Sequence, residues 1–110
     1  MYRYISLSGS DDFSGFLPVS VVQRVLSGLS ELKQTSRWQF ESVAGKPWLS
    51  VAILSCDSNG NHAGGIDQNM KKANLVEFVC ADSEQTDRVF YEDLGNRVAV
   101  ALGWSLVITE

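Results

Sequence analysis

Apolar side chains recur first with a period of two. In YRYISLS, Tyr2 to Ser8, bulky residues alternate with small or polar ones, as in a strand buried on one side. SGSDDFSG follows, rich in the Gly, Ser and Asp that favour turns. From Pro18 the period lengthens. Val22, Val25, Leu26, Leu29 and Leu32 recur at three- and four-residue steps, with Gln23, Arg24, Ser27, Ser30 and Glu31 on the opposite side. This predicts an amphipathic helix opened by proline and carrying its stripe through Leu32.

RWQFESV and WLSVAIL then flank Ala-Gly-Lys-Pro and read as a β-hairpin. A loop centred on Ala44-Gly45 or on Gly45-Lys46 gives the same faces, because either pairs even positions of one strand with odd positions of the other. Trp38, Phe40, Leu49, Val51 and Ile53 share the core face. Gln39, Glu41, Ser50 and Ala52 share the other, with Trp48 as its one large apolar member. ANLVEFVC predicts a mostly buried strand with Val76, Phe78 and Cys80 on one face and Leu75, Glu77 and Val79 on the other, Glu77 marking the less covered side.

A second helix is expected next. Ser83 suits its cap, Glu84 and Asp87 its positive end, and Phe90 or Tyr91, Leu94, Val98, Ala101 and Leu102 its stripe. Gly103 suits its C-terminal stop. WSLVITE closes the chain as a strand, with Trp104, Leu106 and Ile108 alternating against Ser105, Val107 and Thr109. The order β-α-β-β-β-α-β predicts an α+β two-layer sandwich: about five mainly antiparallel strands, two helices on one face and the other face open to water.

Composition narrows the function. A chain of 110 residues, 45% of them hydrophobic, is expected to form one domain over 1–110. The net charge of -4 disfavours nonspecific binding to nucleic acid or anionic membrane, and Lys71-Lys72 is the only adjacent basic pair. The segment MYRYISLSGSDDF has no secretory-signal pattern, and no apolar run approaches the roughly 20 residues that span a bilayer, so a cytoplasmic location is expected. Cys56 and Cys80 lie outside any C-x-x-C spacing and are expected to be free thiols.

LSCDSNGNHAGGIDQN, Leu54 to Asn69, is the stretch with the most varied chemistry. Asp57, Asn59 and Asn61 alternate as in a calcium loop, but the sixth position is His62 rather than glycine and the twelfth is Gln68 rather than glutamate. Cys56 and His62 with Cys80 and Asp57 lack the spacing of structural zinc sites. Cys56, His62 and Asp57 or Asp67 match a thiol nucleophile set only in residue type. Gly64-Gly65 has no lysine and following helix to make a phosphate loop. The expectation is a flexible connection between strands, with no cofactor or metal.

Charge density is more informative. Asp82, Glu84, Asp87, Glu92 and Asp93 fall within twelve positions that hold only Arg88 as counter-charge. Helix dipole and solubility account for such a face, and so does an electrostatic docking surface. Trp48 beside Pro47 either folds over its turn or is an aromatic anchor. Glu41 lies beside or diagonal to it across the hairpin.

The NLVEFVC strand from Asn74 to Cys80, the Tyr91-containing helix and the ending LGWSLVITE together resemble the small immunity proteins of bacterial contact-dependent growth inhibition and related polymorphic toxin systems. The resemblance covers roughly the last third of the chain. It implies a non-enzymatic cytosolic inhibitor of one cognate toxin domain, often a nuclease. A nuclease is basic where it holds phosphates, so an acidic inhibitor suits it. The expected contact residues are Glu41, Trp48, His62, Glu77, Asp87, Glu92 and Asp93. The alternatives are a small enzyme or ligand-binding domain using the Cys56 to Asn69 loop, and an assembly subunit that oligomerises through a strand edge or Trp48.

Overall fold

The computed structural model describes residues 2–9, 15–55, 71–81 and 85–109. Its elements are β1 (Tyr2–Ser8), β2 (Leu17–Pro18), α1 (Val19–Ser27), β3 (Leu32–Ser36), β4 (Gln39–Ser42), β5 (Leu49–Leu54), β6 (Lys72–Ala73), β7 (Leu75–Ala81), α2 (Gln85–Leu102) and β8 (Ser105–Thr109). Six strands form one sheet in the order β3-β4-β5-β7-β1-β8, and every neighbouring pair is antiparallel. The expected α+β sandwich is the observed one, with eight strands among the described residues against the five anticipated.

Strand alternation builds the core. Val51, Phe78 and Ile5 face one another across β5, β7 and β1, and Ile53, Val76 and Leu7 form the next row. All six are buried. Val22 and Leu26 of α1 and Tyr91, Leu94, Val98 and Leu102 of α2 join the same cluster, so both helices cover this face. Gly95 lets α2 approach closely: a Cβ there would come within 2.9 Å of Leu106 Cδ1 and 3.4 Å of Ile5 Cγ2.

The first helix is shorter than its apolar spacing predicts. It ends at Ser27, with Gly28 as its C-cap, and Leu32 opens β3. Leu29 and Leu32 still pack on or in the core, so burial follows the helical spacing after the helix has stopped. β3 itself was not expected, and the anticipated hairpin strand begins at Gln39 because Arg37 and Trp38 form the turn between β3 and β4. Trp38 nevertheless lies in the core, and its carbonyl accepts the Ile53 amide at 2.9 Å. The β4–β5 register, Phe40 opposite Val51 and Glu41 opposite Ser50, gives the predicted faces.

A separate two-stranded ribbon, β2 with β6, pairs Leu17 with Ala73 and Pro18 with Lys72. The Val19 amide donates to the Lys71 carbonyl at 2.9 Å, fixing the start of α1 to the segment that enters β7. At the far end of α2, Gly103 takes the left-handed conformation, φ +69°, as its predicted stop requires. Ala101, expected in the apolar stripe of α2, is exposed. Ser83, the expected cap, lies outside the described residues.

Candidate functional site

The sheet face opposite the helices carries no described helix or strand. Its rows are set by register. Tyr4, Val79, Ser50, Glu41 and Lys33 line up across β1, β7, β5, β4 and β3, and Val107, Ser6, Glu77, Ala52 and Gln39 form the next row. The middle of this face is built of small side chains, Ser6, Ser50 and Ala52, with Glu77 standing among them. Leu54 opposite Leu75 ends it as a buried apolar pair.

Around this shallow centre stand larger groups. Tyr4 is 39% exposed and Trp48, immediately before β5, is 47% exposed. Leu49, the next residue, pairs with Cys80 and is fully buried, so alternation places Trp48 away from the core. The Trp48 carbonyl accepts a hydrogen bond from the Tyr91 phenol at 2.6 Å, which fixes the backbone beneath the exposed ring. Glu41 is exposed and lies diagonal to Trp48 across the hairpin. It stands two strands and one row from Glu77, about 12 Å at ordinary strand spacing and rise. Lys33 lies directly opposite Glu41, so part of its charge is balanced at the β3 edge.

The other predicted contact residues fall elsewhere. Asp87, Glu92 and Asp93 belong to α2, in the layer on the opposite side of the sheet, so the seven residues do not make one flat patch. Glu92 and Asp93 also lie near arginines of this chain. Asp93 Oδ2 is 3.2 Å from Arg97 Nε, and Glu92 Oε2 is 3.9 Å from Arg3 Nη1. Arg97 Nη2 further donates to Glu31 Oε2 in the connection between α1 and β3. The Arg97 hydrogen bond holds the Glu31 carboxyl below its ordinary pKa. Sequence spacing shows the Asp93–Arg97 pair but not Arg97 with Glu31, which are 66 residues apart.

His62, Cys56 and the rest of the loop expected to be chemically richest lie outside the described residues. Cys80 is fully buried, and desolvation pushes its thiol up to about 12, against a smaller opposing effect of Arg3. It is not a nucleophile at neutral pH. Among the described residues no group of three His, Cys, Asp or Glu could hold a metal ion, and no helix is long and apolar enough to cross a membrane. Comparison with protein-family models, with curated proteins and with solved structures returns no match.

Proposed function

We propose that this chain is an immunity-type inhibitor that binds a cognate basic toxin domain with the open face of its sheet and blocks that domain's active site or substrate surface. It acts by occupancy, in the cytoplasm, and transforms nothing itself. The observation that carries this reading is the pairing of an exposed aromatic, Trp48, with the carboxylates of Glu41 and Glu77 around a floor of small residues. A half-exposed tryptophan on a fixed backbone loses little side-chain freedom on binding, and such residues are enriched where binding energy concentrates. The carboxylates attract a basic surface and set its orientation more than they add affinity. The resemblance of the C-terminal third to small immunity proteins points the same way.

The acids of α2 take a lesser part. Facing away from the open sheet and close to Arg3 and Arg97, they add to the long-range field that speeds encounter. The test is binding of the purified chain to a basic C-terminal toxin domain encoded by the adjacent gene. Trp48→Ala is expected to weaken that complex by at least about 2 kcal/mol, chiefly through faster dissociation. Glu77→Lys is expected to do more harm than Glu92→Lys. Absence of a complex, or a complex indifferent to Trp48→Ala, overturns the reading.

A further inference from the structure

The two edges of the sheet are built differently. β3 has the features that keep an edge from pairing: Lys33, a register shift between Gln34 and Ser36, and four exposed polar side chains in a row. β8 has none of them. Ser105–Thr109 contains no charge and no proline, and it follows β1 in unbroken register from Ser8–Ser105 to Tyr4–Thr109. Val107 is 53% exposed and Ile108 36% exposed, on opposite faces of the strand. Among the described residues nothing pairs with its outer side.

The order of residues in β8 is self-complementary. Turned end for end about Val107, Ser105-Leu106-Val107-Ile108-Thr109 sets serine against threonine, leucine against isoleucine and valine against valine. We infer that β8 is the seam of a two-fold dimer, in which it pairs antiparallel with β8 of a second copy of this chain and joins two six-stranded sheets into one. On the helix side, Leu106, already packed against the core beneath Gly95, meets the second copy's Ile108 and extends the apolar layer. On the open side the two Val107 side chains meet at the axis. A contact of this kind uses the same surface on both copies and closes at two. Its hydrogen bonds fix the register, and the absence of charge at the seam removes the usual penalty of placing like residues opposite one another.

The inference is independent of the inhibitor reading, since the seam leaves Trp48, Glu41 and Glu77 uncovered. Its test is the mass of the full chain by sedimentation equilibrium from micromolar to near-millimolar concentration. Two chains are expected at the upper end. Val107→Lys places two ammonium groups together at the axis and is expected to return the mass of one chain, with an unchanged far-UV spectrum because the side chain is already exposed. Thr35→Lys, on the opposite edge, is expected to leave the dimer intact. In the unsubstituted chain, amide exchange along β8 is expected to slow as concentration rises. A single-chain mass throughout overturns the inference, as does a dimer that survives Val107→Lys or one whose formation leaves β8 amide exchange unchanged.

Discussion

The fully buried phenol of Tyr91 donates a 2.6 Å hydrogen bond to the carbonyl of Trp48, tying the middle of α2 to the start of β5 across 43 residues of chain. The Tyr91 ring meets Phe90 edge-on, with centroids 5.7 Å apart. Tyr91→Phe keeps the ring and removes only the donor. A loss of about 1 kcal/mol is expected, read as a fall of several degrees in the thermal midpoint. If Trp48 is the anchor, the same change also weakens toxin binding by loosening the backbone beneath it. Tyr91→Phe with unchanged unfolding temperature would show that the bond carries no net stability.

Glu31, held by Arg97, makes stability depend on pH at the acid end. The folded carboxyl of Glu31 titrates below its unfolded value, chiefly because Arg97 donates to it. Its contribution is therefore fully present above the ordinary glutamate pKa and is lost as pH falls through the lower, folded one. Arg97 is nearly half exposed, so solvent screens the pair and the expected contribution is under about 1 kcal/mol. Chemical denaturation from pH 6 down to pH 3 is expected to show a shallower decline for Glu31→Gln than for the parent chain.

Cys80 should be silent to thiol reagents while the fold is intact. With its thiol raised to about 12 and no solvent exposure, it carries almost no thiolate at pH 8. In a Cys56→Ser background, modification by an aromatic disulfide is expected to proceed at the rate of unfolding and to accelerate in denaturant. Rapid labelling of the folded variant would contradict the burial of this strand.

Two glycines should respond to substitution for different reasons. Gly95→Val pushes branched methyls into Leu106 and Ile5, and a loss of about 1–3 kcal/mol is expected. Gly103→Ala meets no neighbour within 4 Å, but its φ of +69° disfavours any side chain, so about 1 kcal/mol is expected from backbone strain alone. Urea denaturation of the two variants separates the mechanisms. Adding Leu106→Ala opens space beside position 95 and is expected to recover part of the first loss and none of the second.

The sequence was most legible where one side of an element is buried and the other wet. β1, β4, β5 and β7 show period two because their alternate residues meet different surroundings, and Phe40, Val51 and Phe78 all landed on the expected side. β3 gave no such signal: past Leu32 every side chain is exposed, so an edge strand reads as a polar connection. The end of α1 was hidden because Leu29 and Leu32 remain at helical spacing after Gly28. At the candidate site, the faces of Trp48, Glu41 and Glu77 followed from parity alone, whereas the exposure of Trp48 did not. Arg97 with Glu31 and Arg3 with Glu92 did not, because those meetings depend on how helices and sheet pack, which local periodicity does not encode.

Among the described strands of the six-stranded sheet, the first in chain order lies between the last two. β1 is hydrogen-bonded to β7 on one side and to β8 on the other, so Leu7 meets Val76 and Leu106 as neighbours. Contacts so distant along the chain bring a large loop-closure cost before any reward, which slows assembly. During translation Tyr2–Ser8 must wait for its first neighbour until Leu75–Ala81 has left the ribosome, and for its second until Ser105–Thr109 has followed. β3, β4 and β5 can pair with one another in the meantime, but the six-stranded sheet is complete only once Ser105–Thr109 has been made.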